Sequence, residues 1–339
     1  DGAKAVIASN QQRKDMPLWT EKESGPPINL IVTSSEQEEA IAVVSEIVRL
    51  EREGLAQPGG CAIMYRTNAQ SRVLEDAFNR YGMPYHLIGG LRFWERKEIK
   101  DVIAYLRVIQ NPSDDVSLNR IINVPNRSIG QKTVEELTSW SVENKLPLYS
   151  ALQMAGRSME QSITEHTGPK LQTRAVKAIK TLLDLLNSFV SDSKNISIIE
   201  LLDIVTEKTG YRKSLLDEED GDERWDNVQE LRTVAAQIEE LDGELALTAF
   251  LESASLASDI DKIEDESGAA TLITLHQAKG LEFSTVFIVG VEDNLLPHSR
   301  SKEDPAQLEE ERRICYVGMT RAKDRLYLLR ATHRSLFGS

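Results

Sequence analysis

Hydrophobic and polar positions alternate along this chain in two distinct textures. A polar opening, Asp1 to Pro27, ends in the breaker cluster Gly25-Pro26-Pro27. Ile28-Asn29-Leu30-Ile31-Val32 then predicts a strand. Ser34 or Ser35 can cap a helix over Glu36 to Glu51, whose apolar residues Ala40, Val43, Val44, Ile47 and Val48 recur at helical spacing. Pro58-Gly59-Gly60 breaks the chain. Cys61-Ala62-Ile63-Met64-Tyr65 reads as a buried strand, Ala69 to Tyr81 as a helix, and Pro84 to Ile88 as a third strand closed by Gly89-Gly90. From about Glu95 to Ala257 only helical periodicity is found, for example over Glu98 to Ile109, Thr133 to Glu143, Lys170 to Val190 and Ser197 to Thr206. After Ser267-Gly268 the first texture returns. Thr271 to Thr274 and Thr285 to Val289 read as strands, Gln307 to Thr320 as a helix, and Leu326 to Leu329 as a last strand. Strands alternating with helices imply a parallel sheet. The expected fold is therefore α/β: a parallel-sheet domain in two parts, 1–92 and 267–339, interrupted by an all-α insertion at 93–266.

Charge changes the picture only once it is located. The 339 residues carry a net charge of −14, which argues against nucleic acid. Yet Asp217 to Glu266 alone holds eighteen acids and three bases, so the remainder is near neutral, at +1. Between Cys61 and Lys100, seven bases face four acids. The run Asp217 to Glu223 reads as a solvated turn between helices. No stretch of about 18 apolar residues suggests a membrane span, and no leader marks secretion. Cys61 and Cys315, each in an apolar context, are expected to be free thiols of a reducing cytoplasm. The chain opens on Asp1 and stops abruptly after Leu336-Phe337-Gly338-Ser339, and is read as a piece of a longer protein.

Two segments concentrate chemistry. Thr274-Leu275-His276-Gln277-Ala278-Lys279-Gly280-Leu281-Glu282-Phe283 lies between two predicted strands, where ligands of open α/β sheets gather. Gly280 allows a tight turn or a close approach of backbone. Downstream, Glu309 to Ala322 forms a helix with Cys315, Tyr316 and Met319 on one face, and it ends at Arg321. An arginine there suits the helix dipole. It also has the shape of an arginine finger, because its guanidinium forks onto phosphate oxygens. From the residues alone both readings stand.

Together, "TLHQAKGLEF" and "EEERRICYVGMTRA" resemble motifs V and VI of the UvrD/Rep-type superfamily 1A DNA helicases. "AIMYRTNAQSRVLEDAF" and "MPYHLIGGLRFWERKEIKDVIAYLR" resemble the corresponding upstream stretches, and "NVPNRSIGQKT" resembles the family's duplex-contacting motif. The resemblance runs in order over essentially the whole chain. It implies the C-terminal half of such an enzyme, a RecA-like domain 2A interrupted by a helical domain 2B. The ATP-binding loop G-x-x-x-x-G-K-[ST] belongs to the other half, 1A, and does not occur here; Gly130-Gln131-Lys132-Thr133 has the wrong spacing. The family's Asn-Tyr-Arg-Ser motif is expected just before Asp1. The chain alone is thus expected not to hydrolyse ATP, and the Mg²⁺ ligands are expected on the P-loop half.

By resemblance, Arg321 reaches the γ-phosphate of ATP as the catalytic group, Glu282 bonds the ribose, and Gly280 lets backbone approach. Single-stranded DNA is expected at Arg66, Asn68 and Arg72, at Thr274, His276 and Gln277, and at His298 and Phe337. Arg72 can instead pair with Glu75 or Asp76 on its own helix, and Phe337 can cover a sheet edge. Duplex DNA is expected at the turn Ser128-Ile129-Gly130 with Lys132 and Thr133, and more weakly at Thr167, Gly168 and Lys170, which can also be a plain helix start. Gly89-Gly90 and Ser267-Gly268 are the expected crossings between 2A and 2B. The implied activity is 3′-to-5′ translocation with unwinding, in partnership with the 1A–1B half of the same protein. Two other readings stay open: a non-motor DNA-binding or interaction module, and the helicase part of a helicase–nuclease of the AddA/RecB sort.

Overall fold

The computed structural model describes residues 2–10, 25–157, 168–169, 171–238, 241, 243–260 and 268–335. The described residues fall into two compact units, one from 1–93 and 259–335, the other from 94–258.

In the first unit the elements run α1 (Gly2–Ile7), β1 (Asn29–Thr33), α2 (Glu36–Arg52), β2 (Cys61–Tyr65), α3 (Ser71–Arg80) and β3 (Tyr85–Ile88). The second unit intervenes with α4 (Lys97–Gln110), α5 (Asp115–Ile121), α6 (Gln131–Asn144), α7 (Leu148–Arg157), α8 (Thr173–Asp192), α9 (Ile198–Lys208), α10 (Tyr211–Leu216), α11 (Gly221–Ala236) and α12 (Gly243–Ile260). The first unit then resumes with β4 (Ala270–Thr274), β5 (Phe283–Ile288), α13 (Pro305–Met319) and β6 (Ala322–Ala331). The fold class is α/β: six strands form one sheet in the order β1-β6-β5-β2-β4-β3, every pair parallel. Among the described residues, the second unit holds no strand.

The central strand β2 shows why this sequence makes a two-faced sheet. All five of its residues are buried, and the pleat sends alternate side chains to opposite sides. Cys61, Ile63 and Tyr65 join a core with Val43, Val44, Ile47, Leu50 and Phe78 from α2 and α3. Ala62 and Met64 join another with Ile314 and Met319 from α13. Ser35 caps α2, accepting from the Glu38 amide at 3.2 Å. Leu50 completes the buried stripe of that helix. Val48, expected in the stripe, is 46% exposed, because a 3.6-residue period from Val43 and Ile47 returns at 50.

Helix α13 lies close to the sheet because Gly318 has no side chain: a Cβ there would sit 2.4 Å from Leu275 Cδ2. Behind β1 and β6 the chain is tied by Arg334, whose guanidinium bonds Glu39 and, at 2.6 Å, Glu292; the Gly290 amide also donates to Glu39 at 2.9 Å.

In the helical unit, several buried polar side chains pair with one another. Asn227 Nδ2 donates to Glu98 (2.8 Å), Arg224 Nε to Glu98 (3.1 Å), and Tyr211 Oη to Asp101 (3.0 Å), which also pairs with Arg120 (2.7 Å). Two sequence expectations are corrected here. Of the acidic run, Gly221, Asp222 and Glu223 are the first turn of α11 rather than a loop, a position where negative charge meets the helix dipole favourably. Helix α8 starts at Thr173 after the N-cap Gln172, so Pro169 stands outside the helix.

Candidate nucleotide and nucleic-acid interfaces

Because all strands are parallel, the sheet has one amino end and one carboxyl end, and the segment Thr274–Phe283 runs from the second to the first. Thr274 pairs with Tyr65 at the carboxyl ends of β4 and β2. Phe283 pairs with Ala322 at the amino ends of β5 and β6. The sequence-expected site residues of this unit therefore divide into two clusters at opposite ends of one sheet.

At the amino end stand Gly280, Glu282 and Arg321. Gly280 adopts φ +89° with nothing within 4 Å of the place a Cβ would take. Glycine is needed there for its backbone angle, not for room. Arg321 follows the C-cap Thr320 of α13. Its Nε donates to the Val317 carbonyl (3.1 Å), Nη1 to the Leu281 carbonyl (3.2 Å) and Nη2 to Thr320 Oγ1 (3.1 Å). The helix-end role is thus occupied, and the same bonds aim the guanidinium beside the loop that carries Glu282. The Glu282 carboxylate is exposed and lies 3.5 Å from Lys323 Nζ, a neighbour that sequence reasoning missed.

At the carboxyl end the picture is mixed. Arg66 offers its Nε and Nη2 to the Glu311 carboxylate at 3.1 and 2.7 Å. Glu311 also accepts from the His298 amide (3.1 Å) and Ser301 Oγ (3.2 Å). Burial works to raise the Glu311 carboxyl, but the bonds and charge of Arg66, with His298 and Ser301, hold it below the usual carboxylate range. Glu311, hidden in an acidic run, is what brings Arg66 and His298 to one place. Asn68 follows β2 in a half-buried turn, and His276 is exposed on its loop.

Three expectations change at this end. Arg72 is 3% exposed and bonds Asp76 at 2.8 Å, so the pairing along its own helix is the arrangement found. Thr274 is buried, its Oγ1 donating to Gln277 Oε1 at 3.0 Å. Gln277 is in turn bonded through Nε2 to the Gly89 carbonyl at 3.1 Å. Phe337 lies outside the described residues.

In the helical unit the turn before α6 is built by two asparagines. Asn123 Oδ1 accepts the amides of Arg127 (2.7 Å) and Ile129 (3.2 Å), and Asn126 Oδ1 accepts that of Ser128 (2.9 Å), which sits at φ +63°. Arg127 braces the loop from inside through the carbonyls of Ile121 and Val124. The amides of Ser128 and Ile129 are therefore spent, and the Ile129 side chain is core at 1% exposure. What remains to face an anion is the start of α6. The amides of Gly130, Gln131 and Lys132 make no hydrogen bond to a described residue, and Lys132 and Thr133 stand beside them. Arg174, 46 residues away on α8, reaches Ser128 Oγ at 3.1 Å, a neighbour with no local sequence signal. Gly168 packs against the Met154 backbone, while Thr167 and Lys170 lie outside the described residues.

Burial pushes both thiols, Cys61 and Cys315, up to about 11, which disfavours the thiolate at neutral pH. No described helix is long and apolar enough to cross a membrane.

Known proteins resemble this chain in sequence. Over its full length the chain is 40% identical to the ATP-dependent DNA helicase PcrA of Staphylococcus aureus strain Mu50 and 41% identical to that of Staphylococcus epidermidis strain RP62A. It spans 45% of the length of each. Residues 1–333 match the family described as the UvrD-like helicase C-terminal domain. With a match over nearly every residue, the chain belongs to the UvrD-like helicase C-terminal domain family.

Proposed function

We propose that the chain is the second motor half of an ATP-dependent helicase that moves 3′ to 5′ on single-stranded DNA and unwinds duplex. In this reading, residues 1–92 and 267–339 form domain 2A and residues 93–266 domain 2B. A P-loop half of the same protein, 1A with 1B, holds ATP and its Mg²⁺. Mg²⁺ would arrive with the ATP, bridged by its phosphates, with protein ligands on the P-loop half.

The observation that carries the proposal is the amino-end cluster. Arg321 rests on the neutral acceptors Val317 O, Leu281 O and Thr320 Oγ1. These bonds run from a charged donor to neutral acceptors, about 1.5–3 kcal/mol each, whereas a phosphate adds the opposite charge and a bidentate fit to the guanidinium fork. A γ-phosphate arriving from the P-loop half would therefore draw the guanidinium off its carbonyls. Glu282, exposed beside it, takes a ribose hydroxyl. ATP then pulls 2A toward 1A, and hydrolysis releases it. At the other end of the sheet Arg66, Asn68, His276 and His298 face the strand, the arginine toward phosphates and the histidines toward bases. In 2B, duplex phosphates meet the start of α6, with Lys132, Thr133, Ser128 and Arg174 as side-chain donors. This contact is blind to sequence.

The test is Arg321→Ala in the full-length protein. DNA-stimulated ATPase is expected to fall by about 10³-fold while single-strand affinity stays within a factor of two or so. Full ATPase in this variant would sink the assignment. A wild-type protein that binds DNA without DNA-stimulated ATPase would turn the reading to a non-motor binding module.

A further inference from the structure

We propose that Gln277 is a positioning residue that couples the strand-facing loop to the point where the chain leaves the sheet, and is not itself a DNA ligand. The inference rests on the motor reading above.

The bonds of its carboxamide carry the argument. Such a group has one acceptor oxygen and two donor hydrogens. The oxygen accepts from Thr274 Oγ1 at 3.0 Å, and Nε2 donates to the Gly89 carbonyl at 3.1 Å. The Gln277 amide also donates to Thr274 Oγ1 at 3.3 Å. A side chain that is exposed by area is thus held at both polar ends by its own fold. Gly89 is fitted to it. The residue sits at φ +83°, and a Cβ there would lie 2.0 Å from Gln277 Nε2 and 2.2 Å from its Cδ. Two independent features, a hydrogen bond and a vacant side-chain place, record the same contact.

Position gives the contact its meaning. The β3–β4 ladder ends at Ile88↔Ile273. Thr274 and Gly89 are the next residue on each strand, and Gln277 ties them after the backbone pairing has stopped. On one side the tie holds the turn that presents His276. On the other it holds the peptide that leads, within five residues, to Trp94 and the helical unit. A shift of the loop when a strand binds is passed directly to the Gly89 peptide. Without the tie, the loop and the chain exit move independently.

The decisive variant is Gln277→Met in the full-length protein, because it keeps the length of the side chain, adds no charge, and removes the bonds to Gly89 and Thr274. Gly89→Ala is the second variant, and it forces the same contact open from the other side. Both are expected to keep single-strand Kd and DNA-stimulated kcat within about twofold of wild type. Duplex unwinding is expected to slow by about 3- to 10-fold, the scale of one hydrogen bond, so more ATP is consumed per base pair opened. Loss of single-strand affinity in parallel with unwinding would make Gln277 a DNA ligand and overturn the inference. So would unchanged unwinding in both variants. If wild type itself shows no DNA-stimulated ATPase, the motor reading fails first, which separates the two failures.

Discussion

Glu311 is a carboxylate at 3% exposure with four donors around it: two from Arg66, one from the His298 backbone and one from Ser301. Hydrogen bonds to a charged group contribute about 1.5–3 kcal/mol, so Glu311→Gln is expected to lower stability by about that much at pH 7 in urea titrations. The folded carboxyl sits below its ordinary value of 4.5. Its contribution is therefore complete above that value, because only the unfolded chain takes up protons as pH falls toward it, and is lost as pH falls through the folded value. Melts recorded from pH 6 down to 3 should lose stability less steeply in Glu311→Gln than in wild type. Equal slopes would mean that another carboxyl governs this window. Arg334 supplies a second case. Replacing it with alanine leaves Glu39, itself 3% exposed, without its cation, and about 3–5 kcal/mol of stability should go with it. A loss below 1 kcal/mol would show that Glu39 is carried by the Gly290 amide and is protonated.

Between elements, an apolar contact also joins the two chemical segments, Gly318 of α13 against Leu275 of the loop after β4. A methyl group at 318 would meet Leu275 Cδ2 at 2.4 Å and Ile288 Cδ1 at 3.2 Å. Overpacking of this kind costs about 1–3 kcal/mol, so Gly318→Ala should lower Tm, and Gly318→Val should lower it further. An unchanged Tm would mean that α13 can slide on the sheet. At this scale the sequence was most legible where side chains are buried on both faces: β2, β4 and β5 announced themselves as apolar runs. It was least legible at strand ends. β6 runs from Ala322 to Ala331, although only Leu326–Leu329 reads as a strand, because its first half is polar: Lys323 and Asp324 lie at a register irregularity against β5, and Arg325 pairs with Thr285. The sites divide in the same way. The loop segments were legible because polar residues crowd there at strand ends. The burial of Arg72 and the role of Glu311 were not, since each depends on partners brought by tertiary packing. The spent amides near Ile129 were nearer to hand, because Asn123 lies only four and six residues from the groups it caps.

For the whole molecule, the chain spans 45% of the length of each relative, and on the proposed reading the ATP-gripping chemistry lies on the other half. The chain alone should show no ATP turnover with or without single-stranded DNA. Mixed with a folded fragment carrying the P-loop half, it should hydrolyse ATP in a DNA-stimulated manner. Turnover by the isolated chain would contradict the division of labour proposed above. The two ends of the sheet add a geometric consequence. The strands between the clusters are about five residues long, roughly 17 Å at 3.3 Å per residue, and a hydrogen-bonded sheet is stiff. On the proposed assignment it is a lever arm, gripped by nucleotide at one tip and by the strand at the other. A tilt of about 11° about one tip sweeps the other through about 3.4 Å, the rise of a single nucleotide along a DNA strand.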